Sequence, residues 1–315
     1  MAIAAVGQIC STTSMAHNLE QCVKLVGKAA AAGAKVLFFP EASDYIATSP
    51  SESLSLAKPM ATSPFVTGLQ SAARKHSLCV HVGIHVPVTV QPSAPQTTSP
   101  FQTTTDSIKE GTDETPITKL LNRSIWIQSD GTLNPSATYD KLHLFDYPPL
   151  LESAITQPGA SLVPPFASPI GQIGSLICFD LRFPEASLRL SCPSHFPSSP
   201  AQILLYPSAF TVPTGRAHWE VLLRARAIET RCWVIAAAQV GRHAGQGGKR
   251  VSYGRSLVVD PWGRVVMRLK GIRGEEEDAD TWEAEEGAVG ELGIVDVDLG
   301  VVEEVRGRMP LVRRT

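Results

Sequence analysis

The sequence predicts an α/β fold in which buried strands alternate with amphipathic helices. Three observations predict it. Short apolar runs of strand length recur along the chain, several are followed by segments with helical apolar spacing, and turn residues separate the two kinds. With 315 residues, 43% of them hydrophobic, the chain can bury a large core, and we read 1–315 as a single domain.

Residues 3–9 read as a buried first strand, and 18–32 as a helix carrying Leu19, Cys22, Val23, Val26 and Ala30 at helical spacing. Gly33 stops that helix, since a chain leaving a helix commonly needs one left-handed residue. Residues 36–39 are a second buried strand, 63–76 a second helix and 78–86 a third strand. Residues 122–128 run into the turn Ser129-Asp130-Gly131, and 137–139 return beside them as a hairpin. Further on, 203–206 is a strand, 216–231 a helix and 233–239 a strand. Residues 256–260 turn through Pro261-Trp262-Gly263 into 264–269, and 293–297 close the sheets. Three stretches lack the composition for a core and read as surface insertions: 91–118 and 192–200, rich in Pro and Ser, and the acidic 274–286, read as a solvated loop.

A formal net charge of −2 gives no basis for nucleic acid or an anionic membrane as the main partner, and Arg313 and Arg314 at the tail do not change this. Residues 1–8 have no basic flank before their short apolar run and read as a strand, not a signal peptide. No apolar stretch approaches the ~20 residues of a membrane helix. The expectation is a soluble cytoplasmic protein, with a mitochondrial form left open. The six cysteines are scattered and argue against a disulfide framework, and none has zinc-site spacing with a histidine, so no metal is expected. Cys22, Cys79 and Cys232 lie in apolar contexts with an ordinary packing role. Gly245-Gln246-Gly247-Gly248 lacks both the P-loop Lys-Ser and the dinucleotide spacing, and reads as a loop.

Cys178 differs from the other cysteines. It ends the apolar run 173–177 and opens Cys178-Phe179-Asp180-Leu181-Arg182-Phe183-Pro184-Glu185, a strand-to-helix elbow with Pro184 suited to the helix's first turn. Proximity to a helix N-terminus is expected to favour thiolate over thiol. Glu41 follows the run 36–40, and Lys141 lies in Tyr139-Asp140-Lys141-Leu142-His143-Leu144, so both sit at comparable strand exits, where ligand sites of α/β sheets collect. An amide carbonyl resists a neutral thiol, so a cysteine hydrolase needs a base for the proton and a positive group for the oxyanion. Glu41 and Lys141 suit those jobs. The same glutamic acid then protonates the departing amine and activates water against the thioester, with no metal or organic cofactor. Taken alone, Lys141 is a solvated lysine, Glu41 a loop ion pair and His143 a packing residue; sequence order does not show that the three groups meet.

Phe39-Pro40-Glu41-Ala42, the Lys141 segment and the Cys178 segment resemble the three signature segments of the nitrilase superfamily of carbon-nitrogen hydrolases, in that family's order. The resemblance implies a four-layer α-β-β-α sandwich around two central sheets, commonly paired into a homodimer through helices. By position it implies Cys178 as nucleophile, Glu41 as general base, Lys141 and the backbone N–H of Phe179 as oxyanion donors, and Glu152 as the family's second glutamate. In the C-terminal half, Tyr206-Pro207-Ser208-Ala209-Phe210, Thr214-Gly215-Arg216-Ala217-His218-Trp219-Glu220, Arg224-Ala225-Arg226-Ala227-Ile228-Glu229-Thr230 and Ser252-Tyr253-Gly254-Arg255-Ser256 are similar to the amidases of deaminated glutathione. Those enzymes release 2-oxoglutarate and cysteinylglycine. The likeness implies a small-molecule amide substrate, with Arg182 for the keto-acid carboxylate and Phe210 and Thr214 as pocket walls. The alternatives are an ω-amidase for keto-amides of glutamine or asparagine, or a silent scaffold of the same fold. For Arg182 the alternative is an ion pair with Asp180 or Glu185. His218, Trp219 and Glu220 are read as a buried helix network, with Arg224, Arg226 and Glu229 forming ion pairs there or at a dimer face.

Overall fold

A computed structural model describes residues 1–91, 115–148, 150–243, 249–275 and 278–311. Two six-stranded sheets form its centre. The first runs Glu291–Val297, Ala2–Gln8, Val36–Phe38, Cys79–Val90, Ile117–Ile127, Tyr139–Asp140. The second runs Val265–Arg268, Leu257–Val259, Trp233–Ala236, Ile203–Leu205, Gly171–Ser175, Phe166–Ser168.

Strand periodicity explains why the central strands Val36–Phe38, Ile203–Leu205 and Trp233–Ala236 are apolar throughout. Successive side chains point to opposite faces, and both faces are covered. Ala4, Val6, Phe38, Cys79 and Trp126 of the first sheet meet Ile173, Ile203, Leu205, Trp233 and Ile235 of the second in one buried cluster. The intervening Ala5, Leu37, Val80 and Val82 pack against Cys22, Leu25 and Val26 of helix Met15–Ala31 and Phe65 and Leu69 of helix Pro64–His76. On the far side, Leu204, Val234, Ala236 and Leu257 pack against Ala186 and Leu190 of helix Pro184–Ser191 and Leu223 and Ala227 of helix Glu220–Thr230. The result is the four-layer α-β-β-α sandwich.

Local signals set the ends of the elements. Ser14 and Ser63 cap their helices by accepting from the N–H groups of His17 and Val66, and Gly33 takes the left-handed conformation (φ +78°) expected after the first helix. The strands 78–86 and 122–128 are longer than the sequence pattern marks: the ladder Cys79–Val90 with Ile117–Ile127 reaches Val90 and Ile117, so 117–118 are strand and not insertion. The rest of that insertion, 92–114, lies outside the described residues, as do 244–248 with the glycine-rich loop, and Arg313 and Arg314. The helix placed at 216–231 instead begins at Val212 and passes through a π-turn, Gly215–Trp219, before Glu220–Thr230. The acidic 274–286 is not merely a solvated loop: Asp278 caps a 3-10 turn, Ala279–Thr281, and Glu283–Ala284 pairs with Ile272–Arg273. Helices Pro50–Leu56 and Leu299–Arg308, strand Phe166–Ser168 and the ribbon of Val240–Arg242 with Val251–Tyr253 carry no marked signal in the sequence reading. Among the described residues no helix is long and apolar enough to cross a membrane.

Candidate active site

Glu41 lies just beyond the strand Val36–Phe38, and its neighbour Ala42 is left-handed (φ 54°). The next strand approaches it so closely that a Cβ on Gly83 would stand 2.6 Å from the Glu41 Cα and 2.9 Å from the Pro40 carbonyl oxygen. Only glycine fits there. Gln239 fixes the same turn from the second sheet, its Nε2 donating to the Glu41 carbonyl at 3.0 Å and to Ser11 Oγ at 2.8 Å.

Cys178 occupies a strained elbow. Its φ is +47°, its N–H donates to Pro207 O at 3.0 Å, and it opens the 3-10 helix Cys178–Arg182 ahead of Pro184 at the start of the next helix. Asp180 holds the elbow. One carboxylate oxygen accepts from Ile177 N (2.9 Å) and Tyr139 Oη (2.7 Å), the other from His143 N (3.1 Å) and Nδ1 (2.7 Å). His143 also stacks on Phe183, so its role is structural. Lys141 follows the short strand Tyr139–Asp140, with its N–H bonded to Asn122 O.

The three side chains converge. Lys141 Nζ lies 3.1 Å from Glu41 Oε1 and 2.7 Å from Glu152 Oε2, and all three groups are largely buried. Asn122 Nδ2 donates to Glu41 Oε1 (2.6 Å) and Glu152 Oε1 (3.0 Å), while Ala209 N donates to Glu41 Oε2 (2.9 Å). The Cys178 thiol lies against the Glu41 carboxylate and against the Ala209 N–H that donates to that carboxylate. Glu152 also accepts from Phe145 N at 2.7 Å, so it ties Lys141 to the following loop.

Electrostatics set the protonation states. Burial alone would raise the Glu41 pKa, but the Lys141 ammonium and hydrogen bonds from Cys178, Asn122 and Lys141 outweigh it and hold the carboxyl below its usual range. Burial likewise opposes the charge on Lys141, yet Glu152 and Glu41 hold its pKa well above the ordinary lysine value. The thiol goes the other way. Burial and then the adjacent Glu41 carboxylate push the Cys178 pKa well up, with Lys141 only partly opposing. The expected thiolate is therefore corrected to a neutral thiol hydrogen-bonded to an ionised carboxylate, because a buried carboxylate beside the sulfur outweighs the helix end.

These groups form the floor of a cavity of about 540 Å³. Arg182, Phe210 and Thr214 line it, as do Phe179, Ile46, Leu150, Leu151, His85, Lys249 and Arg250. Arg182 bonds neither Asp180 nor Glu185; its Nη2 lies 2.7 Å from His218 Nδ1. His218 touches the cavity lining through Arg182, only Trp219 of its trio is buried, and Glu220 pairs with Arg268 on the surface. Arg226 pairs with Glu229 at 2.8 Å and with Leu181 O, and Arg224 reaches Gly263 O. The sequence reading missed Asn122, Asp180, Ala209 and Gln239. Asn122 sits in mid-strand and Gln239 three residues past the end of its strand, and neither position carries a local signal of its role.

A model of the carbon-nitrogen hydrolase family matches residues 3–307. The chain is 39% identical to the probable hydrolase nit2 of Schizosaccharomyces pombe, over 100% of this chain and 98% of that protein. It is 42% identical to the human deaminated glutathione amidase, over 84% of this chain and 72% of that protein. Among solved structures, the Caenorhabditis elegans NitFhit protein superposes with a TM-score of 0.74 at 33% identity, over 98% of this chain and 65% of that one. Saccharomyces cerevisiae Nit3, a member of branch 10 of the nitrilase superfamily, does so at 0.70 with 24% identity, over 99% and 96%. With the family model spanning nearly its whole length, this chain belongs to the carbon-nitrogen hydrolases of the nitrilase superfamily.

Proposed function

We propose that the protein is a cofactor-independent amidase that cleaves deaminated glutathione to 2-oxoglutarate and cysteinylglycine through a thioester on Cys178. The observation that carries this reading is the contact of a buried thiol, an ionised carboxylate and an ammonium group at the floor of one cavity. Glu41 takes the thiol proton as sulfur attacks the amide carbonyl, so a thiolate never has to exist free. Lys141 has three N–H donors; two are held by Glu41 and Glu152, which leaves one for the developing oxyanion. The N–H of Phe179, in the first helical turn where no helical acceptor exists, is the second donor. Glu41 returns its proton to the leaving nitrogen, the C–N bond breaks, and a water deprotonated by Glu41 then opens the thioester. Glu152 positions Lys141 and does not touch the substrate.

Substrate chemistry supports the choice of amide. Deaminated glutathione carries two carboxylates, and the cavity is lined by Arg182, Lys249 and Arg250, none with a carboxylate partner among the described residues. Arg182, four residues beyond the nucleophile, takes the keto-acid end, with Phe210 and Thr214 as walls. Incubation with deaminated glutathione, with Cys178→Ala as control, is expected to release both products from the wild type only; release of neither overturns the substrate assignment. We further propose a cytoplasmic homodimer. Its support is an exposed apolar patch of Val221, Ile228 and Trp262, exposed by 61%, 50% and 55%, beside helix Glu220–Thr230.

A further inference from the structure

His85 stands in the cavity wall and takes no part in the chemistry above. It follows Gly83 by two positions, so it leaves the strand on the face that meets Glu41, and it is the cross-strand partner of Asn122, which holds both glutamates. Its ring is fixed on two sides. Nδ1 lies 3.0 Å from Asp44 Oδ1, and the ring stacks on Tyr45 at 4.5 Å, itself anchored through its hydroxyl to Ser53 O. Asp44 is buried and further held by the N–H groups of His85 and Tyr45. A carboxylate only accepts, so Nδ1 carries the hydrogen, and in that tautomer of the imidazole Nε2 is the acceptor. That nitrogen has no partner among the described residues, and the side chain is 16% exposed.

We propose that His85 is a specificity-determining residue that accepts at Nε2 a hydrogen bond from an N–H of the leaving dipeptide. The assignment rests on the functional reading above. Glu41 must reach the departing nitrogen, so the leaving half lies on the Glu41 side, along the wall formed by Ala42, Ile46, Ala47 and His85, while Arg182 holds the acyl half on the nucleophile's side. Lys249 and Arg250 belong to the same leaving-group side: Arg250 O accepts from His243 N, His243 Nδ1 lies 2.9 Å from Ser11 O, and Ser11 Oγ donates to Ser43 O, next to Asp44. A dipeptide bound there would place its amides beside His85 and its terminal carboxylate toward those cations.

The test compares deaminated glutathione with the primary keto-amide of 2-oxoglutarate, whose leaving group is only ammonia. His85→Phe, which keeps a ring over Tyr45, is expected to raise KM for deaminated glutathione about five- to tenfold and to leave kcat, and all constants for the primary amide, within about twofold. His85→Gln, with a carbonyl oxygen near the Nε2 position, is expected to restore most of the loss, and thermal melting checks that both variants fold. Equal losses on both substrates, or no loss on either, overturn the proposal and leave the amidase reading intact. A wild type that hydrolyses neither amide overturns both.

Discussion

A thiol that resists ionisation can still attack if an ionised base already stands against it to take the proton during attack, and that is the arrangement at Cys178. Burial and Glu41 raise its pKa, while Glu41 is held below the usual carboxylate range and Lys141 well above its own. The free-enzyme kcat/KM should therefore be level from about neutral pH until Lys141 begins to lose its proton, above the ordinary value of 10.5. A rise centred near the ordinary thiol pKa of about 8.5 would contradict the neutral-thiol account. Glu41→Gln keeps one acceptor oxygen, enough for Asn122 and Lys141 at the Oε1 position, but turns its NH2 toward the Ala209 N–H and cannot take the proton. It should lower kcat about 10²–10⁴-fold while the melting curve stays near wild type, and near-wild-type turnover would remove Glu41 as the base. Cys178→Ser should likewise fold and lose most turnover.

At the scale of elements, two strand exits and one elbow decide whether those groups meet. Gly83→Ala should push the Glu41 turn aside, because the new Cβ would overlap backbone and not a flexible side-chain tip. We expect a larger loss in kcat than in stability, measured by kinetics and urea unfolding on the same sample. Asp180→Ala should act in the opposite proportion. It strands the Tyr139 hydroxyl, the Ile177 N–H and the His143 donors, at about 1–3 kcal/mol for each buried group left unpaired, so urea unfolding should show a loss of several kcal/mol. Most of the elements were legible in the sequence because each central strand is apolar on both faces and each large helix shows its apolar stripe. The helix Pro50–Leu56 was not, since its polar sequence buries only Ser53. The catalytic three were legible as residue types at strand exits. Asn122, Asp180 and Gln239 were not, because a hydrogen-bonding partner far along the chain leaves no local pattern. The sign of the Cys178 shift was missed for a related reason: it depends on Glu41, 137 positions earlier in the chain, lying against the sulfur.

For the whole molecule, acid should be the destabilising direction. His81 and His243 are buried neutral, and burial lowers each pKa from 6.5 to about 3. A base with a depressed folded pKa is protonated first in the unfolded chain, so each histidine removes about 1.4 kcal/mol of stability per pH unit as pH falls from 6.5 toward 3. Unfolding free energies that stay flat across that range would show that these rings are charged or open in the folded state. Assembly is tested separately: Val221→Glu combined with Ile228→Glu should shift a homodimer to monomer in light scattering, and an unchanged mass would place the interface elsewhere. The central claim is covalent chemistry at one sulfur, and rapid acid quench of the wild type during turnover of deaminated glutathione, followed by peptide mass mapping, reads it directly. The account predicts one oxoglutaryl group on the peptide containing Cys178, absent from Glu41→Gln; full turnover by Cys178→Ala, or an adduct on any other residue, would contradict it.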